Sequence, residues 1–127
     1  MMKKEFTLLI VDDSAIIRSR IARILSDPRL GFIRMTGMAK NGMDAITQFM
    51  QQTPDIVTMD ITMPEMDGVE CTEKMIAFSP NCSILVISAL SDKATALKTL
   101  KKGARGFLYK PFTDEELIAA FLELVHS

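Results

Sequence analysis

Leu8-Leu9-Ile10-Val11-Asp12-Asp13-Ser14-Ala15-Ile16-Ile17-Arg18-Ser19-Arg20-Ile21-Ala22-Arg23-Ile24-Leu25 changes its period partway along. Leu8 to Val11 are apolar without a break, which marks a strand buried on both faces, as in a parallel sheet. After Ser14, a residue suited to cap a helix, Ile17, Ile21, Ile24 and Leu25 fall on one helical face until Asp27-Pro28 stops it. Two acids, Asp12 and Asp13, stand where strand gives way to helix.

The same alternation continues outward along the chain. Ile56-Val57-Thr58-Met59, Ile84-Leu85-Val86-Ile87 and Phe107-Leu108-Tyr109 are further short apolar runs. A run near Ile33 to Ala39 is mixed with Arg34, Thr36 and Gly37, which suits a sheet edge. Between the runs, Ala45, Ile46, Phe49 and Met50 form a helical stripe after Asn41-Gly42 that closes at Thr53-Pro54. Asp67 with Glu70 resembles a capping box for a third helix through Val69, Thr72, Met75 and Ile76. A fourth helix is expected from about 91 to 102, ending at Gly103. Thr113 with Glu116 forms a second capping box, followed by Leu117, Ile118, Phe121, Leu122 and Val125 at helical spacing. Five strand–helix units predict an α/β fold, (βα)5, with helices on both faces of an open parallel sheet. Right-handed crossovers favour the flavodoxin-like, doubly wound strand order 2-1-3-4-5, which opens a crevice at the carboxyl ends of strands 1 and 3.

Composition agrees with this and excludes other classes. The 127 residues suffice for one domain, 1–127, with a core of its own, and the formal net charge of −1 carries no basic block suggesting nucleic acid. Cys71 and Cys82 lack the spacing of a zinc site and read as free thiols of a reducing compartment. No signal peptide and no membrane-spanning run is evident, so a cytoplasmic protein is expected.

Polar chemistry gathers at the strand ends. Strand 1 runs into Asp12-Asp13, strand 3 into Asp60, strand 4 into Ser88-Ala89 and strand 5 into Lys110-Pro111. Three carboxylates converging at ~4 Å would repel by about 4 kcal/mol per pair at an effective dielectric near 20. A hard dication with oxygen ligands sustains such a cluster, and Mg²⁺ suits a site open to water and phosphate. Lys110 adds a fixed positive charge and Ser88 a hydroxyl donor. Taken singly these features are ordinary: acids favour helix N-termini, hydroxyls satisfy strand ends, and Phe107 is a core aromatic. The lysines Lys93, Lys98, Lys101 and Lys102 suit a solvated helix face as well as a partner surface.

Asp12-Asp13, the run Met59-Asp60-Ile61-Thr62-Met63-Pro64-Glu65-Met66-Asp67-Gly68, Ser88-Ala89 and Lys110-Pro111-Phe112 together resemble the signature of bacterial two-component response-regulator receiver domains. The resemblance spans essentially the whole chain. It implies that Asp60 accepts a phosphoryl group from a histidine kinase or phosphotransfer protein. It implies Mg²⁺ ligation by Asp13, Asp60 and the backbone carbonyl of Thr62, with Asp12 acting through a metal-bound water. Lys110 would contact the phosphoryl oxygens, and its peptide with Pro111 would be cis. Ser88 would move toward the phosphoryl group while Phe107 turned inward behind it. A downstream target would bind the face made by the fourth helix, fifth strand and fifth helix. Such a chain catalyses only its own phosphoryl transfer and dephosphorylation, as a switch rather than an enzyme.

Other classes fit the residues less well. A haloacid-dehalogenase-like phosphohydrolase needs a second acid two residues after the nucleophile, where Thr62 stands. A flavodoxin needs a Ser/Thr/Gly-rich phosphate loop where Asp13 would repel phosphate. The output is open between a stand-alone receiver of the chemotaxis or phosphorelay kind and one cut from a methylesterase or transcription factor. The absence of an acidic pair around Arg105-Gly106-Phe107 disfavours the transcription-factor form.

Overall fold

The computed structural model describes residues 5–61, 63 and 68–126. Its elements are β1 Phe6–Val11, α1 Ala15–Ile24, β2 Ile33–Ala39, α2 Gly42–Gln52 and β3 Ile56–Asp60. They continue with α3 Gly68–Phe78, β4 Ser83–Ala89, α4 Lys93–Lys101, β5 Gly106–Lys110 and α5 Asp114–His126. All strand pairs are parallel and the order is β2-β1-β3-β4-β5. Both the (βα)5 alternation and the expected order are therefore present, with β2 at an edge.

The apolar runs divide by parity. Leu9, Val11, Val57, Met59, Ile84 and Val86 face one side of the sheet and pack with Ala45, Phe49, Cys71, Met75 and Ala96 from α2, α3 and α4. Leu8, Ile10, Ile56, Leu85 and Ile87 face the other and pack with Ile21, Ile24, Leu117 and Phe121 from α1 and α5. At roughly 1.5–3 kcal/mol per fully buried large apolar side chain, this two-sided burial holds the sheet. At the β2 edge the register steps from Leu8–Met35 to Leu9–Gly37, so Thr36 bulges out and its hydroxyl donates to the Leu8 carbonyl at 3.2 Å.

The cap read at Ser14 is present, its Oγ accepting from the Ile17 amide at 3.3 Å, and the structure adds one at Asn41, which caps α2 through the Asp44 amide at 2.8 Å. The Thr113–Glu116 box is reciprocal, at 2.9 and 3.1 Å. The box expected at Asp67 lies outside the described residues. Helix α2 stops at Thr53, which takes a left-handed φ of 41° just before Pro54. The fourth helix begins later than expected, because Leu90–Asp92 form a 3₁₀ turn before Lys93. Cys71 and Cys82 are buried free thiols, and burial pushes Cys82 up to about 11. No described helix is long and apolar enough to cross a membrane.

Strand register delivers the site. Asp60 ends β3 beside Ile87, one residue short of Ser88, and Lys110 ends β5 beside Ala89. The chain then turns from Asp60 into α3 under a tight constraint. A Cβ on Gly68 would lie 2.5 Å from the Ile61 Cα, backbone that cannot yield cheaply. Gly68→Ala should therefore cost roughly 1–3 kcal/mol by overpacking, measured by urea denaturation. Gly106, whose nearest neighbour would be the Leu85 side chain at 3.5 Å, should accept Ala nearly neutrally.

Candidate functional site

Asp12 directly follows β1, and its amide still donates to the Ala39 carbonyl at 3.0 Å. Its side chain is 1% exposed, with Oδ1 accepting the Ser14 amide at 2.9 Å and Oδ2 lying 3.1 Å from Lys110 Nζ. Asp60, also 1% exposed, lies 3.6 Å from the same ammonium through Oδ2. Asp13, at the turn into α1, stays exposed. One carboxylate oxygen from each of Asp12, Asp13 and Asp60 lies within 4.8 Å of the others. The three acids and the lysine expected to meet do meet.

This charge balance is uneven. Burial, and then the neighbouring charge of Asp60, raise Asp12 above the ordinary carboxylate range, against the Ser14 amide and Lys110, which lower it. Among the described residues, Lys110 is within ion-pair distance of both Asp12 and Asp60. Three convergent carboxylate oxygens, one of them at the solvent side, form a donor set of the hard-oxygen kind that Mg²⁺ takes. Thr62, whose carbonyl was expected to complete it, lies outside the described residues.

Ser88 is fully buried at the end of β4, and its hydroxyl has no hydrogen-bond partner among the described residues. A buried hydroxyl without a partner costs free energy, and the hydroxyls of Thr58 and Thr72 stand in the same condition among the described residues. Phe107 lies 39% exposed and packs edge-to-face on Tyr109, with ring centroids 5.1 Å apart. Its ring is therefore partly open to solvent rather than enclosed in the core. The Lys110-Pro111 peptide is cis, as expected.

Arg18 was not singled out in the sequence. It donates to the Asp12 carbonyl at 2.6 Å from one turn inside α1. Its partner is backbone, which leaves no mark on residue type.

A family model described as "Response regulator receiver domain" matches residues 8–122. The chain belongs to this family. The receiver is 38% identical to "Chemotaxis protein CheY" of Thermotoga maritima, over 89% of this chain and 92% of that protein. It is 42% identical to a "Protein-glutamate methylesterase/protein-glutamine glutaminase" of Idiomarina loihiensis, over 84% of this chain but 28% of that protein. Among solved structures, that of a "CheX-CheY-BeF3-Mg+2 complex" from Borrelia burgdorferi is similar, with a TM-score of 0.85 at 31% identity. It spans 93% of this chain and 87% of that one. The protein is a phosphorylation-controlled switch of the two-component kind, similar to chemotaxis receivers, rather than an enzyme with an external substrate.

The geometry makes Lys110 a structural partner as well. Lys110→Met should destabilise the metal-free receiver by about 1–3 kcal/mol, since it leaves buried Asp12 without its cation. Half of that range or less is expected once Mg²⁺ is added, and thermal melting with and without the ion checks both.

Proposed function

We propose that Asp60 is the phosphoacceptor of this receiver, that Asp12, Asp13 and Asp60 hold Mg²⁺ with the Thr62 carbonyl, and that Lys110 contacts the phosphoryl oxygens. The observation that carries the proposal is the convergence of three acids within 4.8 Å, two of them on Lys110, beside the unpartnered Ser88 hydroxyl. An Asp60 carboxylate oxygen forms the new O–P bond as the N–P bond to a phosphohistidine donor breaks, and the histidine keeps the electron pair of that bond. Mg²⁺, when bound, neutralises charge on the transferring phosphoryl oxygens. Lys110 would add positive charge there from a position fixed by the end of β5, 3.6 Å from Asp60. Phosphoryl transfer depends mainly on such positioning and charge stabilisation.

The donor is a histidine kinase or phosphotransfer protein, and the setting is the cytoplasm. The phosphoryl dianion recruits the Ser88 hydroxyl, and Phe107 leaves its outward position to fill the space behind it. These moves shift a pre-existing equilibrium toward a different α4–β5–α5 surface, which a downstream protein reads. The CheY proteins, matched nearly end to end, support a chemotaxis-type output through a separate target. The methylesterases, matched over their receiver portion, support the alternative of a receiver joined to its own effector.

Incubation with acetyl phosphate and Mg²⁺ should add one phosphoryl group, seen by intact-mass measurement, and Asp60→Asn should abolish it. Asp13→Asn should raise the Mg²⁺ needed by on the order of tenfold or more. An Asp60→Asn chain that takes up the group like the parent would refute the assignment.

The lifetime of the phosphorylated form also follows. Leu90, two residues after Ser88, is apolar and 66% exposed, and neither it nor Thr62 carries a charge or an amide to orient and activate a water. Positioning of the attacking water governs such hydrolysis. The phosphorylated receiver should be long-lived. Thr62→Asn with Leu90→Glu should hasten its decay severalfold after donor removal, without moving Mg²⁺ affinity.

A further inference from the structure

Lys110 closes a strand that has a neighbour on one side only, since β5 is the outer strand of the sheet. The next residue, Pro111, is exposed and has no amide proton to anchor the chain. The aim of Lys110 at Asp12 and Asp60 thus depends on what holds the segment just after it. Phe112 is 3% exposed, in the core between the sheet, α1 and α5.

Arg20, on α1, grips that segment in three ways. Its Nη2 donates to the Phe112 carbonyl. Its guanidinium lies over the Phe112 ring, 4.6 Å from the centroid. The same nitrogen reaches Asp114 Oδ1 at 3.2 Å, on the first residue of α5. A planar cation satisfies a carbonyl, a ring face and a carboxylate together, which a lysine cannot match. Arg23 and Arg29 also pair with Asp114 and Glu115, but on exposed outer ends. Arg20 reaches the loop itself, with its side chain 30% exposed.

The same helix holds the other pole of the site. Arg18 donates to the Asp12 carbonyl, and the turn leading into α1 carries Asp12 and Asp13. One rigid helix therefore braces both ends of the 3.1 Å Lys110–Asp12 contact.

We infer that Arg20 is a positioning residue for phosphoryl transfer, fixing the Phe112 loop so that Lys110 is held on the acceptor site. This rests on the reading of Lys110 as the cation on the phosphoryl oxygens. Misplacing a group by about 1 Å can cost up to 10²-fold in rate, and loosening one loop should cost less.

The test is the rate of phosphorylation by acetyl phosphate at saturating Mg²⁺ for the full chain, Arg20→Met, Arg20→Lys, Lys110→Ala and Arg20→Met combined with Lys110→Ala. Arg20→Met should slow the reaction about tenfold, within the range for a misplaced group. Arg20→Lys, which keeps a donor for the Phe112 carbonyl, should recover part of that loss. Mg²⁺ affinity by calorimetry should stay within about twofold of the parent, because a positioning role leaves the carboxylates in place. In the Lys110→Ala background, Arg20→Met should slow nothing further, since coupled residues fail to add. A folded Arg20→Met chain reacting at the parent rate overturns the inference, as does slowing that multiplies in the double variant. A fall in Mg²⁺ affinity matching the fall in rate would show general loosening and overturn it too. If Lys110→Ala alone reacts like the parent, the reading of Lys110 fails, and the inference with it. Should Arg20→Met not fold, Arg20→Gln carries the same cycle.

Discussion

Asp12 and Asp60 are both almost fully buried, at the ends of neighbouring strands, and share one ammonium, that of Lys110. Two carboxylates out of water and close together oppose each other, and a single cation does not cancel them. The rest of the molecule can be understood as what makes that arrangement tolerable. A parallel sheet packed on both faces is stiff enough to hold the acids in place, and its apolar interior excludes competing water. Burial, more than the neighbouring Asp60 charge, is what raises the Asp12 carboxyl. Stability and function pull in opposite directions at this spot. A site poised to gain positive charge, and then a phosphoryl group, is under-neutralised beforehand.

The two residues proposed to move on phosphorylation lie near these acids. Ser88, next to last on the strand beside Asp60, has a buried hydroxyl with no partner among the described residues, while Phe107 on the next strand is partly exposed and packs against Tyr109. The first has a polar capacity to fill, the second an apolar surface to bury. Neither need is met by the other, so the two can move together without a direct bond between them. Beneath Phe107, a hollow of about 340 Å³ is lined by Leu85, Leu100, Ala120 and Leu124, among others.

Helix α1 links the two poles of the site. Its N-terminal turn holds the acids, Arg18 grips Asp12 from behind, and Arg20 reaches across to the segment behind Lys110. None of these contacts is large by itself. Their value lies in fixing a distance between groups that belong to the first and last strands of the chain.

The sequence by itself determined the sheet, its helices and most of the site. Unbroken runs such as Leu8 to Val11 require two-sided burial. Periodic stripes such as Leu117, Ile118 and Phe121 require one-sided burial, and the short connections leave few topologies. The acids and the lysine were legible because strand ends in such a sheet face one crevice, so their residue types at those ends announce chemistry. What only the tertiary structure decided depends on contacts with backbone and across long separations. The 3₁₀ turn at Leu90–Asp92 delays α4, and Thr36 bulges from β2, through local geometry that no residue type specifies. Arg18 and Arg20 were not singled out in the sequence. Their partners are carbonyls and a ring face, and Phe112 lies 92 residues beyond Arg20. A backbone acceptor carries no side-chain identity, so only the folded chain shows which arginine reaches it.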